Sequence, residues 1–232
     1  MYYCPKQAMK FTLILILLIT FPVGAQNQFR LNDASKKVDV NIDVGHCDNG
    51  NCGPVAVKFY RKGAPRSFQT IKLDKTNMWD AAPKANVTRR YDDQSVLNFN
   101  DFNFDGQEDV AICDGTGGGY GMPSYKIYLY SKQLAKFVYS ASFTKLTNNG
   151  MNLGMVEIDK NKQILYRFSK SGCCWHQTEG FDVISGRPRK IYEFTEEVLM
   201  YKPEVVEITT AKFIKGKWRT WIKHAKTSEY YQ

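Results

Sequence analysis

The sequence predicts an antiparallel all-β protein, and two observations support that prediction. The 232-residue chain contains 14 Tyr, 14 Phe and 4 Trp but only 8 Pro, and aromatic side chains suit the pleated, half-buried surface of a sheet. Apolar residues also alternate with polar ones in short segments separated by Gly, Asn and Lys turns, a pattern typical of strands joined by tight connections. We therefore expect an antiparallel meander, a sandwich or a small propeller-like array.

The alternating segments continue along the chain from residue 38. Strands are expected at 38–44, 54–60, 67–73, 96–99, 108–113, 125–130, 137–143, 155–159, 163–168, 180–184, 189–194, 205–209, 212–214 and 217–222. Residues 193–200 are compatible with one or two helical turns, and no segment after residue 26 shows a sustained helical period. No linker or low-complexity tract interrupts the series, so residues 26–232 are expected to form a single domain.

Residues 1–25 have the features of a secretory signal peptide. Two lysines precede the uncharged apolar stretch 11–21, and Val23 and Ala25 supply the small residues of a cleavage site. That stretch is shorter than the about 20 apolar residues needed to span a bilayer. A translation start at Met9 would leave the same signal. We expect an exported protein that resides in the periplasm.

Five cysteines remain after the predicted cleavage, which leaves at least one unpaired in an oxidising compartment. Cys47 and Cys52 lie in the turn-rich stretch GHCDNGNCG, so a small disulfide clamp is expected there. Cys173 and Cys174 are adjacent. They either bond to each other or one of them bonds to Cys113.

Residues 101–109, DFNFDGQED, have the spacing of a calcium loop. The expected oxygen ligands are Asp101, Asn103, Asp105, the backbone carbonyl of Gln107, and Asp109. Calcium takes about six to eight such oxygens, and Gly106 permits the sharp turn between them. Ile112 stands where a helical EF-hand carries a bidentate Glu, and both flanks alternate like strands, so the loop is expected to join two strands. A turn rich in Asp and Asn that binds no ion is the alternative.

The run DFNFDGQEDVAICDGTGGGYGMPSYKIYLY resembles a single FG-GAP or VCBS-type repeat, in which a DxDxDGxxD loop leads into a strand, a Gly-rich turn and a second strand. Three later stretches, KFVYSASFTKLT, SGCCWHQTEGFDVISGRP and KFIKGKW, are similar to a narrower group. That group comprises small exported proteins with one calcium loop and a propeller-like β fold. It includes periplasmic lysozyme inhibitors and immunity proteins against secreted lysozyme-like effectors. The resemblance covers residues 95–223, and it implies bound Ca²⁺ and a peptidoglycan hydrolase as the protein partner.

The Gly-rich loop GTGGGYG, residues 115–121, presents one large aromatic side chain between glycines. A phosphate-binding loop would open a helix and carry Lys followed by Ser or Thr, whereas this loop leads into a strand. Tyr is a favoured anchor of protein interfaces, so Tyr120 is expected to contact a partner, with Gly119 beside it and Trp175 as a further contact. In periplasmic lysozyme inhibitors a loop of the Ser-Gly-x-Tyr kind enters the enzyme's cleft; this chain lacks the preceding serine.

No catalytic constellation stands out, so the chain is not expected to be an enzyme. Cys174 and His176 would share one face of a strand, but adjacent cysteines favour a disulfide over a thiolate nucleophile. A glycosidase needs two carboxylates across a cleft, and nothing in the sequence singles out such a pair. An exported hydrolase of cell-wall or surface glycans and an adhesion or envelope-scaffold module remain the alternatives to an inhibitor.

The net charge of +9 gives the protein a basic surface. The basic residues are mostly spread singly, which argues against a nucleic-acid site. A solvated basic surface is the simplest account of them, and contact with an anionic envelope surface or steering of an acidic protein partner are the functional alternatives. The densest basic segment is 212–226, which also contains Trp218 and Trp221. On a strand these two would face opposite sides, and one is expected to pack inward.

Overall fold

The computed structural model describes residues 27–78, 84–91 and 94–231; the predicted signal peptide lies outside them. These residues form three sheets. The first contains β1 (Asn27–Leu31), β2 (Val38–Asp48), β3 (Asn51–Arg61), β4 (Ser67–Leu73) and β5 (Thr76–Asn77). The second contains β6 (Leu97–Asn100), β7 (Asp109–Gly115), β8 (Ser124–Ser131) and β9 (Lys136–Tyr139), and the third contains β10 (Glu157–Asp159), β11 (Ile164–Ser171), β12 (Trp175–Ile184), β13 (Arg187–Val198), β14 (Val205–Ile214) and β15 (Lys217–Lys226). Two single-turn helices are α1 (Ala141–Thr144) and α2 (Thr227–Tyr230).

Each sheet is an antiparallel meander, as the alternation predicted. The strand orders are β1-β2-β3-β4 with β5 beside β3, then β6-β7-β8-β9, then β10 through β15. Paired strands therefore follow one another along the chain, which keeps the connections short. None of the three sheets closes on itself. The all-β, antiparallel prediction is confirmed, and the propeller-like description fits loosely.

One apolar core joins the three sheets. Phe59 of the first sheet lies 4.8 Å from Phe137 of the second, measured between ring centroids, and Phe99 packs edge-on against both. Leu165 and Phe181 bring the third sheet into the same cluster. Burying such side chains stabilises each by about 1.5–3 kcal/mol relative to exposure.

The outer strands of the third sheet extend beyond this core. Val206 is the only buried residue in β14 and β15. Trp218 and Trp221 are 43% and 45% exposed, so the expectation that one of them packs inward is wrong. Trp218 instead packs beside Phe213 on the neighbouring strand β14, at 5.7 Å between ring centroids, and Lys190 Nζ lies 5.8 Å from its ring centroid, so its contacts come from its own sheet.

Two segments differ from the sequence prediction. The strand expected at 137–143 ends at Tyr139, and α1 follows. This turn is stabilised by Phe143, which is fully buried, and by Thr144, whose Oγ1 accepts a hydrogen bond from the backbone N–H of Ile127 at 3.0 Å. Residues 193–200 lie mostly in β13 instead of a helical turn, because β12 and β14 pair with that strand on both sides. No helix among the described residues is long and apolar enough to cross a membrane.

Candidate functional site

The predicted calcium loop connects β6 to β7, two strands that pair directly. Its backbone wraps around the Asp101 carboxylate, which accepts hydrogen bonds from the N–H of Asp105 at 3.0 Å and of Gly106 at 2.7 Å. Asn103 Oδ1 accepts a second bond from the Asp105 N–H, at 3.2 Å. Gly106 has a φ of +79°, a left-handed conformation that favours glycine. The spacing of these residues therefore produces a tight turn around the Asp101 carboxylate, and the turn joins two strands, as predicted.

Asp109 lies beneath this turn and is fully buried. Its two carboxylate oxygens accept hydrogen bonds from the backbone N–H groups of Phe102, at 2.9 Å, and Tyr130, at 2.7 Å. Burial raises the pKa of Asp109 to about 7, and the nearby charges of Asp105 and Asp101 act in the same direction. Asp101 and Asp105 thus lie close enough to Asp109 for their charges to repel its carboxylate.

The donor set of this loop fits a hard cation. None of Asp101, Asp105 and Asp109 forms an ion pair with a described residue, and oxygen is the ligand that calcium prefers. Within residues 27–78, 84–91 and 94–231, no three acid, His or Cys side chains already converge as a metal centre. The side chains instead bond to amides: Asn103 Nδ2 donates to Asp105 Oδ2 at 2.9 Å, and the Gln107 N–H donates to Asp105 Oδ1 at 2.7 Å.

Tyr120 occupies the tip of a short 3-10 turn at Gly119–Gly121. Its ring is 65% exposed, and its φ of +56° is unusual for a residue with a side chain. The hydroxyl accepts a hydrogen bond from the backbone N–H of Gly172, in the turn between β11 and β12. A Cβ built at Gly119 would lie 2.8 Å from the carbonyl oxygen of Met151. The glycine therefore allows the close approach of two loops that fixes the tyrosine in place.

Three further side chains complete the surface that we call the Tyr120 patch: Tyr91, Met151 and Lys170. Lys170 Nζ lies 5.3 Å from the Tyr91 ring centroid and 6.0 Å from that of Tyr120. Tyr91 is 61% exposed and Met151 is 40% exposed. No described acid pairs with Lys170. The sequence did not reveal these neighbours, since each comes from a different segment of the chain.

The structure contains two local disulfides. Cys47 and Cys52 are opposed in the β2–β3 pair and are joined, with their Cα atoms 4.0 Å apart. Cys173 and Cys174 are joined to each other in the β11–β12 turn, beside the Gly172 amide that holds Tyr120. Cys113 is a buried free thiol, and burial raises its pKa. The sequence left open whether Cys173 and Cys174 bond to each other or one of them bonds to Cys113; the structure has the bond between the two adjacent cysteines.

Trp175 and His176 lie on opposite faces of β12. His176 pairs across the sheet with Lys170 and stacks on Phe168 at 6.1 Å between ring centroids, so it shares the face of the Tyr120 patch. Trp175 is half-buried and faces the other way, because successive strand residues alternate. Cys174 is held in its disulfide, so Cys174 and His176 do not form a thiolate pair.

Comparisons with known proteins identify a fold neighbour but no family. No protein-family model and no curated protein matches the chain. Among solved structures, it is similar to one described as "Structure of a Xanthomonas Type IV Secretion System related protein". The TM-score is 0.66 at 19% sequence identity, over 87% of this chain and 96% of that chain. The chain therefore shares the fold of that protein over most of its length.

Proposed function

We propose that this protein is an exported, calcium-binding inhibitor or immunity protein that binds a lysozyme-like peptidoglycan hydrolase through the Tyr120 patch. The observation that carries this proposal is Tyr120 itself, a 65% exposed aromatic ring on a turn tied down at both sides. A ring held in one position loses little conformational entropy on binding. Tyr is also among the residues that supply most of the binding free energy in interfaces.

The charge of the patch suits the cleft of a glycan-cleaving enzyme. Such enzymes operate with a pair of carboxylates at the cleaved bond. Lys170 lies within 6.0 Å of the Tyr120 ring and lacks an acidic partner among the described residues. An aromatic side chain that enters the cleft would therefore carry an ammonium group toward those carboxylates. The fold neighbour, described as related to a Xanthomonas type IV secretion system, is compatible with a role for this chain alongside a secreted effector.

Calcium has a structural role in this proposal. Asp101, Asn103, Asp105, the Gln107 carbonyl and Asp109 would hold the ion, whose charge would offset the repulsion among the three acids. Asp109 also connects the loop to β8 through the N–H of Tyr130. Since β8 begins directly after the Tyr120 turn, a stable loop supports the strand that follows the proposed contact.

Inhibition of peptidoglycan lysis tests the proposed function. The purified protein is titrated into a lysis assay of purified peptidoglycan that uses a lysozyme-like hydrolase, and we expect the lysis to stop. Tyr120→Ala should weaken inhibition about 30-fold or more, the loss typical of an interface hot spot. Tyr139→Ala, which removes a 49% exposed tyrosine from β9, is the matched control and should inhibit normally.

Three results would contradict this function. The hydrolase could remain fully active at saturating protein, or Tyr120→Ala could inhibit as well as the unmodified protein. Cleavage of peptidoglycan by the protein alone would identify it instead as a hydrolase.

A further inference from the structure

β15 is an uncovered edge strand of the six-stranded sheet. It pairs only with β14, and nine of its ten residues are exposed. Ile222 is 56% exposed, and Trp218 and Trp221 are each more than 40% exposed. A long free edge invites pairing with another strand, and proteins normally shorten, twist, cover or charge such edges. β15 is long and uncovered among the described residues, and its protection against pairing is its positive charge.

The two faces of β15 differ in chemistry. Lys217, Arg219 and Lys223 lie with Trp221 on one face, whereas Trp218 and Ile222 lie on the other, because successive strand residues alternate. No acid among the described residues pairs with Lys217, Arg219 or Lys223, although several other surface cations are paired. The first face is therefore basic and its cations lack acidic partners, whereas the second combines Trp218 and Ile222 with polar residues whose cations, His224 and Lys226, are paired with Glu207 and Glu229.

The turn between β14 and β15 determines which backbone groups are free. Ile214 pairs with Lys217 across the two-residue turn Lys215–Gly216, whose residues both have positive φ. In such hairpins the residues that flank the turn form a hydrogen-bonded pair, and bonded and non-bonded pairs then alternate. Trp221 thus bonds to β14, whereas Thr220 and Ile222 direct their N–H and C=O groups outward.

We propose that β15 binds an extended, acidic segment of a partner protein, which adds to the sheet as a seventh strand. Acidic residues at alternate positions would face Lys217, Arg219 and Lys223, and apolar residues between them would face Trp218 and Ile222. Strand addition of this kind takes its affinity from main-chain hydrogen bonds and its specificity from alternate side chains. The required partner sequence is therefore an alternation of acidic and apolar residues.

A second copy of this chain is a poor occupant of the same edge. Antiparallel pairing of two β15 strands about Trp221, which matches the outward N–H and C=O groups of Thr220 and Ile222, would place Arg219 of each copy opposite Lys223 of the other, and like charges directly opposite destabilise a pair. The edge is also distinct from the Tyr120 patch. Lys170 lies on β11, four strands away, which is about 19 Å at the usual spacing between strands.

The test uses a dye-labelled, eight-residue peptide that alternates Glu with Val, measured by fluorescence anisotropy with the full-length mature protein. Thr220→Pro removes one outward N–H without loss of a bond to β14, and we expect it to weaken binding about tenfold. Thr220→Ala keeps that N–H and is the matched control, with affinity near that of the unmodified protein. The double variant Arg219→Glu/Lys223→Glu should abolish binding. Because it leaves the backbone groups of β15 unchanged, it tests the proposal even if Thr220→Pro fails to fold.

Two control peptides separate strand addition from simple charge attraction. A peptide with its Glu residues in one block and its Val residues in another should bind weakly, as should the alternating peptide with every second backbone nitrogen methylated. Equal binding of either control peptide would overturn the proposal. So would equal binding of the alternating peptide to folded Thr220→Pro, dimerisation of the protein in sedimentation velocity, or tighter binding to phosphatidylglycerol vesicles than to the peptide. None of these readouts depends on Tyr120 or on inhibition of a hydrolase.

Discussion

At the scale of single residues, Gly119 shows how the absence of one carbon shapes the Tyr120 patch. A Cβ at this position would lie 2.8 Å from the backbone oxygen of Met151, and backbone atoms of a packed loop cannot move aside freely. We expect Gly119→Ala to lower the free energy of unfolding by about 1–3 kcal/mol, the usual cost of overpacking, and to weaken inhibition because Tyr120 is displaced. Urea denaturation measures the first effect. Thr116→Ala, an exposed change in the same loop, should alter neither quantity, and a Gly119→Ala protein of normal stability would contradict the close approach.

Asp109 has a structural role that can be separated from any role as a metal ligand. Both of its oxygens accept backbone N–H groups, and Asn in its place would direct an NH₂ group at one of those donors. We expect Asp109→Asn to destabilise the protein by about 1–3 kcal/mol even in the presence of a chelator, which is the cost of leaving a buried donor unsatisfied. Asp105→Ala is the comparison, because the Asp105 side chain is exposed. Without calcium, this change should lower the free energy of unfolding by less than half as much as Asp109→Asn does. Equal costs for the two variants in chelator would argue against this distinction.

At the scale of elements, the Cys47–Cys52 disulfide joins β2 and β3 next to the turn of their hairpin. The two strands already pair along their length, so the disulfide acts mainly on the unfolded chain, where it closes a short loop between residues five apart. We expect the double change Cys47→Ala/Cys52→Ala to lower the free energy of unfolding by about 2 kcal/mol, the chain-entropy value for a loop this short. Denaturant titration of both proteins under oxidising conditions measures the difference. A loss above about 5 kcal/mol would mean that the hairpin itself had come apart.

The sequence predicted the positions of the strands better than it predicted where some of them end and which of their faces are buried. Alternation located most of β2 through β15 because the exchange of apolar and polar residues at successive positions is a local pattern that neighbouring residues alone define. It did not distinguish β9 from α1, since the burial of Phe143 is possible in either conformation. It also placed one of Trp218 and Trp221 inside, because alternation indicates which residues share a face but not whether any layer covers that face.

At the scale of the whole molecule, the candidate sites depend on contacts between distant segments. The loop spacing in residues 101–109 predicted a turn between two strands, because that geometry is local. The support of Tyr120 by Gly172 joins residues 52 positions apart, and Tyr91 and Lys170 reach the same patch from two further segments. Asp109 likewise bonds to Tyr130, 21 positions away. Spacing within one motif carries no information on such contacts, so the sequence indicated Tyr120 but not its neighbours.

Calcium, if it binds as proposed, should stabilise the molecule as a unit, because one apolar core connects the three sheets. A ligand that binds only the folded state adds about 2.7 kcal/mol at a concentration 100 times its Kd. For a protein of this size, that gain corresponds to a rise in Tm of about 5–10 °C. We therefore expect millimolar Ca²⁺ to raise the Tm in differential scanning calorimetry, and excess chelator to reverse the rise. Mg²⁺ at the same concentration should have a smaller effect, because it demands a tighter octahedral site and gives up its waters reluctantly. Asp105→Ala should melt at the same temperature with and without Ca²⁺; a melting curve of the unmodified protein that chelator leaves unmoved would show that residues 101–109 form a turn without an ion.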